Sequence, residues 1–142
     1  MNDLVVDSSV VVKWVLPEPD SAHAVQVRDD VIGAGGRLIV LDLVYPEVSN
    51  AIWKNLRQKK ITIAGAQQAL ADLQGLPMQR EPAIRLLDKA FDIAVKYDRA
   101  VYDALFVALV QDLGVKGVTA DDPLYNTTHV DFPQIVLLRD WP

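Results

Sequence analysis

The sequence contains no cysteine, which removes disulfide scaffolds, thiolate zinc sites, iron–sulfur clusters and thiol nucleophiles together. Its two histidines, His23 and His129, are too few and too far apart for a histidine-built zinc centre. Both are expected to face solvent, His23 on a helix and His129 in a loop. No apolar run reaches the ~18 residues that span a bilayer, so a membrane role is not expected. The opening MNDLVVDSS has no cationic leader and Asp7 breaks its apolar run, so the reading is a cytoplasmic protein without a signal peptide. An excess of positive charge is also lacking: 14 Lys and Arg against 19 Asp and Glu leave a net charge of -5. A domain that grips nucleic acid by bulk positive potential is therefore disfavoured. An acidic site that meets phosphate through metal ions stays open.

What is present suits one domain over residues 1–142, with 51% hydrophobic residues to fill a core. Leu4–Val6 reads as a buried strand ended by Asp7. Residues 10–16 suggest a short helix or turn stopped by Pro17. A helix capped at Asp20 or Ser21 should run to about Ile32, where Gly33, Gly35 and Gly36 follow. Arg37–Leu41 is the strongest strand, and a helix with Pro46 in its first turn should run to about Gln58. Thr62 caps a helix to about Leu73. Pro82 to about Lys96 shows Ile84, Leu87, Phe91 and Ala94/Val95 at helical spacing, and residues 100–113 end at Gly114. Val115–Thr119 and Ile135–Leu138 complete the strands, with Met78–Glu81 a weaker candidate and a turn or single helical turn at Asp121–Tyr125. Short buried strands alternating with helices predict an α/β domain with a parallel sheet covered on both faces.

Ligands of such sheets gather at the carboxyl ends of the strands. Asp7 and the Asp121–Asp122 doublet directly follow strands, while Glu47 and Asp103 lie in the opening turns of helices. Each has an ordinary structural explanation. Asp7 suits a helix N-cap aided by Ser8 and Ser9, Glu47 suits the helix dipole, Asp103 suits a cap, and Asp121–Asp122–Pro123 suits a turn. Asp103 is the hardest to dismiss, because Ala104–Val110 is wholly apolar and a buried carboxylate needs a partner or a metal. Acids converging on one edge repel one another unless a cation lies among them. Oxygen ligands without Cys or His imply Mg²⁺ or Mn²⁺.

Four segments, in order, carry a family likeness: VVDSSVVVKW around Asp7, PEVSNAIWK around Glu47, YDALFVAL around Asp103, and VTAD ending at Asp121. Together they resemble PIN domains, most of all the VapC-type toxins of toxin–antitoxin pairs, over essentially the whole chain. The resemblance implies a three-layer α/β/α fold and a metal-dependent endoribonuclease with a cognate antitoxin, often a homodimer. Its acids fall on Asp7, Glu47, Asp103 and Asp121, with Asp122 the alternative for the last. Asn50, Thr119 and Ser8 match its polar supporting positions. Phe106 stands where an aromatic hydroxyl is common. A non-toxin PIN nuclease of RNA processing and a non-catalytic PIN-like binding domain are the competing readings. A haloacid-dehalogenase-type phosphatase would need an Asp where Ser9 stands, and a receiver domain would need a Lys after the last strand, where Arg139 follows instead.

Lys54, Arg57, Lys59 and Lys60 form a basic run free of acids. It suits RNA backbone contact, with Lys13 and Arg99 as helpers, or a helix end whose cations complement the dipole. Trp14, Trp53 and Trp141 are expected in the core or an interface.

Overall fold

The computed structural model describes residues 2–141. Five parallel strands form one sheet in the order β3-β2-β1-β4-β5: β1 Leu4–Val6, β2 Leu38–Leu41, β3 Met78–Glu81, β4 Lys116–Thr119 and β5 Ile135–Leu137. The helices are α1 Ser8–Val15, α2 Ser21–Gly33, α3 Val44–Arg57, α4 Ile63–Gly75, α5 Leu87–Tyr97, α6 Val101–Leu113 and α7 Asp122–Thr128. The expected α/β class and parallel sheet are present, including β3. Every residue of β1 and β2 is buried, as strands covered on both faces must be. Helix α1 packs with α2, α3 and α4, whereas α6 packs with α5 and against β1, β2 and β4. The helices thus divide into two sets with the sheet between them.

Strand order reverses beside β1. The chain builds β2 and β3 on one side of it, then crosses to place β4 on the other. In a parallel sheet the carboxyl-end crevice at such a reversal is where connecting loops diverge and leave room for a ligand. Helix α6 supplies the long-range support, with Ala104 through Val110 all buried. It lies so close to β4 that a Cβ on Gly117 would fall 2.3 Å from Val110 Cγ2 and 3.0 Å from Phe106 Cζ. Glycine there is what lets helix and strand approach, and Phe106 is a core residue at 3% exposure.

Several local expectations change. The segment expected as one helix from Pro82 is a 3-10 turn, Ala83–Leu86, followed by α5. Its buried residues are Leu86, Ala90 and Ile93, while Ile84, Leu87, Phe91 and Val95 lie exposed. Two apolar stripes share this helix, and α6 covers only one of them. The turn expected at Asp121–Tyr125 extends to a two-turn helix. Asp121 Oδ1 accepts the Leu124 N–H at 3.0 Å, and the Thr127 and Thr128 hydroxyls donate to carbonyls one turn back. His129 ends α7 half-buried instead of lying free in a loop, its ring stacked 4.3 Å from that of Tyr125. Trp14 and Trp141 are partly buried against the core, but Trp53 is 51% exposed.

Candidate active site

Four short segments bring the acids together. Asp7 follows β1 directly, and its N–H donates to the Val118 carbonyl at 3.0 Å, continuing the β1–β4 pairing one residue past the strand. Asp121 stands two residues beyond the end of β4. Glu47 lies in the first turn of α3 and Asp103 in the first turn of α6. These side chains line one cleft of about 250 Å³, with Ser8, Ser9, Val12, Val48, Ala51 and Tyr102.

Asp7 is the most firmly set of the four. It occupies the N-cap position of α1, yet its side chain makes no capping bond. Its Oδ2 instead accepts from the Ser9 hydroxyl at 2.6 Å and the Thr119 hydroxyl at 2.8 Å. Both hydroxyl oxygens accept in turn, Ser9 from the Ala120 N–H at 2.9 Å and Thr119 from the Asp121 N–H at 3.1 Å. Fixing both hydroxyls by backbone donors aims their protons at one oxygen. Asp7 Oδ1 has no protein hydrogen bond among the described residues. Thr119 is fully buried, so this network forms part of the core as well as of the cleft. Burial pushes the Asp7 carboxyl above its ordinary range, the two hydroxyls pull it back, and the charges of Asp103 and Asp121 add to the rise.

Glu47 is exposed as a whole residue, but its carboxyl group sits against the other acids. Partial burial, then the charges of Asp7 and Asp103, push its pKa up to about 7, and the nearby Ser8 hydroxyl opposes the rise. Asp121 uses Oδ1 to cap α7, and its Oδ2 is without a protein partner among the described residues. Asp122, its neighbour, points to Arg139, whose Nη1 lies 2.7 Å from Oδ1, and does not line the cleft. The structure therefore separates the two members of the doublet.

Asp103 differs from the other two aspartates because its partner is a full cation. Arg99 Nη2 donates to Asp103 Oδ2 at 2.9 Å. Arg99, expected as a helper in RNA backbone contact, is instead paired with a cleft acid, one helical turn before it. Lys13, the other expected helper, is tied to the Pro19 carbonyl at 2.8 Å and to Glu18, with 11% of its side chain exposed. The run Lys54, Arg57, Lys59 and Lys60 is exposed at the end of α3, with the Arg57 guanidinium 5.4 Å from the Trp53 ring centre. Asn50 is exposed and shares a shallow apolar depression with Leu43, Pro46, Glu47 and Tyr102, beside the cleft instead of within it.

The donor set is all oxygen, which suits a hard divalent cation. Its side chains are turned onto local partners, and among the described residues no three of them stand arranged to hold one ion. Ser9, expected only as an aid to an N-cap at Asp7, and Arg99, expected only as a helper in RNA contact, are the partners of the cleft acids that sequence reasoning did not count in the site. Ser9 had a signal in its position two residues after Asp7, and Arg99 had one in standing a helical turn before Asp103.

Comparison with known proteins meets this geometry. A family model described as the PIN domain matches residues 4–130. The chain belongs to the PIN domain family. Within it, the chain is 32% identical over 135 residues to "Ribonuclease VapC3" of Pyrobaculum aerophilum, a match covering 94% of this chain and 97% of the relative. That likeness makes it a VapC-type member. Among solved structures, a protein from Pyrobaculum aerophilum superposes with a TM-score of 0.69 at 21% identity, over 96% of this chain and 84% of that one. A toxin–antitoxin complex from Klebsiella pneumoniae contains a chain with a TM-score of 0.61 at 10% identity, over 96% of this chain and 98% of that one. At those identities the likeness is one of fold. No helix of the described residues is long and apolar enough to cross a membrane.

Proposed function

We propose that this chain is a divalent-metal-dependent endoribonuclease, the toxin of a toxin–antitoxin pair, hydrolysing RNA phosphodiester bonds at the cleft of Asp7, Glu47, Asp103 and Asp121. The ribonuclease class is that of its VapC relative, and the antitoxin partner is that implied by the complex it resembles in fold. One observation carries the site. Asp7 and Asp121 each engage one carboxylate oxygen with neutral donors and keep the other without a protein partner among the described residues. Oriented, half-engaged carboxylates around a cleft are what an oxygen-seeking cation requires.

Asp7 and Asp103 serve in this reading as the principal ligands of Mg²⁺ or Mn²⁺, with Glu47 and Asp121 binding directly or through water. An ion bound there would lower the pKa of a coordinated water and neutralise charge on the scissile phosphate. Glu47 is the carboxylate of the cleft that orients or deprotonates the attacking water. Ser9 and Thr119 hold Asp7, Ser8 steadies Glu47, and Asn50 flanks it. Lys54, Arg57, Lys59 and Lys60 give the RNA backbone a local cationic surface on an otherwise acidic chain. A single domain over residues 1–142, a homodimer and a cytoplasmic location complete the proposal, the homodimer resting on the family resemblance.

The test is a Mn²⁺ titration followed by melting temperature. A ligand that binds only the folded state at ~100 times its dissociation constant adds roughly 2.7 kcal/mol. The wild type and Asp122→Asn should be stabilised, whereas Asp7→Asn and Asp103→Asn should lose both the stabilisation and RNA cleavage. Full cleavage by both cleft variants would overturn the assignment. Wild-type protein indifferent to Mn²⁺ would favour the non-catalytic binding domain.

A further inference from the structure

We infer that Arg99 is the resident counter-ion of the acidic cleft and competes with the divalent cation for Asp103, so that metal binding displaces its guanidinium. The inference rests on the metal-site reading above and adds to it a residue of this chain that sets how tightly the ion is held. Arg99 acts through Asp103 and is therefore a positioning residue.

Three observations support it. First, among the described residues Arg99 is the one cation paired with a cleft acid. The other ion pairs join Lys13 to Glu18, His23 to Asp20, Arg28 to Asp29, Arg37 to Asp3, Arg85 to Glu81 and Asp112, and Arg139 to Asp122. Second, the pair is shielded, with 23% of the Arg99 side chain and 29% of the Asp103 side chain exposed, so its charges are felt more strongly than on open surface. Third, the Arg99 Nε is buried without a hydrogen-bond partner. A guanidinium that meets the cleft by Nη2 while another N–H goes unmet is imperfectly seated, because a desolvated donor without a partner is unfavourable.

The contrast with Asp7 and Asp121 gives the direction of the effect. Hydroxyl and backbone donors are neutral and can stay in place when a doubly charged ion arrives beside the carboxylate. A guanidinium cannot do so without like-charge repulsion at close range. Arg99 holds the acids together while the ion is absent, and its pairing must be given up when the ion binds Asp103. If Arg99 instead oriented Asp103 as an outer partner of the metal site, removing it would weaken binding. The two roles differ in sign.

Calorimetric titration of Mn²⁺ alone into the whole chain decides between them, using Arg99→Met, Arg99→Gln and Arg99→Lys at one pH and salt concentration. Both neutral variants should bind Mn²⁺ more tightly, on the order of fivefold, and Arg99→Lys should stay near the wild type. Equal or weaker binding in the neutral variants overturns the inference and leaves the metal site standing. No binding by the wild type or any variant overturns the metal-site reading and the inference with it. The unsubstituted chain gives a second measurement if the neutral variants do not fold. The Arg99 side-chain N–H resonances should lose their exchange protection at saturating Mg²⁺, and retained protection overturns the inference.

Discussion

The Thr119 hydroxyl donates to Asp7 Oδ2 at 2.8 Å, joining residues 112 positions apart in the chain across the seam between β1 and β4. This bond ties the interior of the sheet to the chemistry at its edge. Thr119→Val keeps the shape and removes the donor, leaving the half-buried Asp7 with one hydroxyl. The expected loss is about 1–3 kcal/mol of stability in urea unfolding and about 10–100-fold in Mn²⁺ affinity, as for other outer partners of metal ligands. Thr119→Ser restores the hydroxyl and should recover most of both. A valine variant with wild-type affinity would show that Ser9 alone suffices.

Glu47 predicts a pH dependence. Its pKa rises from 4.5 to about 7 in the folded protein, so the folded state binds this proton more tightly than the unfolded chain. Stability from this group is fully present below 4.5 and is lost as pH rises to about 7. Asp7, also raised, acts in the same direction. Metal-free protein kept in chelator should therefore melt at lower temperature at pH 8 than at pH 5. Glu47→Gln should flatten that slope, and an equally steep slope in the variant would place its origin elsewhere.

Gly117 lies beneath the helix that carries Asp103. Because a Cβ there would meet Val110 at 2.3 Å, Gly117→Ala must push α6 from the sheet or force its side chains off their rotamers. The expected destabilisation is about 1–3 kcal/mol, measured by chemical denaturation. Displacement of α6 would also move Asp103, so Mn²⁺ binding should weaken beyond what the stability loss explains.

The order of elements and the four acidic positions could be read from the chain alone, for local reasons. A strand buried on both faces appears as an unbroken apolar run, and the residue that ends the run sits at the carboxyl edge by construction, as Asp7 does. Helix α6 announces its burial because Ala104–Val110 has no polar residue to turn outward. Tertiary structure decided whatever depends on which neighbour covers a surface. Along the 3-10 turn and α5, Leu86, Ala90 and Ile93 recur at helical spacing, and so do Ile84, Leu87, Phe91 and Val95. Periodicity cannot choose between two apolar stripes on one helix; contact with α6 does. Asp121 and Asp122 are equivalent in sequence until α7 turns one into the cleft and the other toward Arg139. Ser9 and Thr119 meet at Asp7, and Arg99 faces the acids, because strand order sets β4 beside β1 and the α5–α6 turn swings back to that edge. A sequence shows which side chains could bind a charge, and the fold determines which of them share its low-dielectric surroundings.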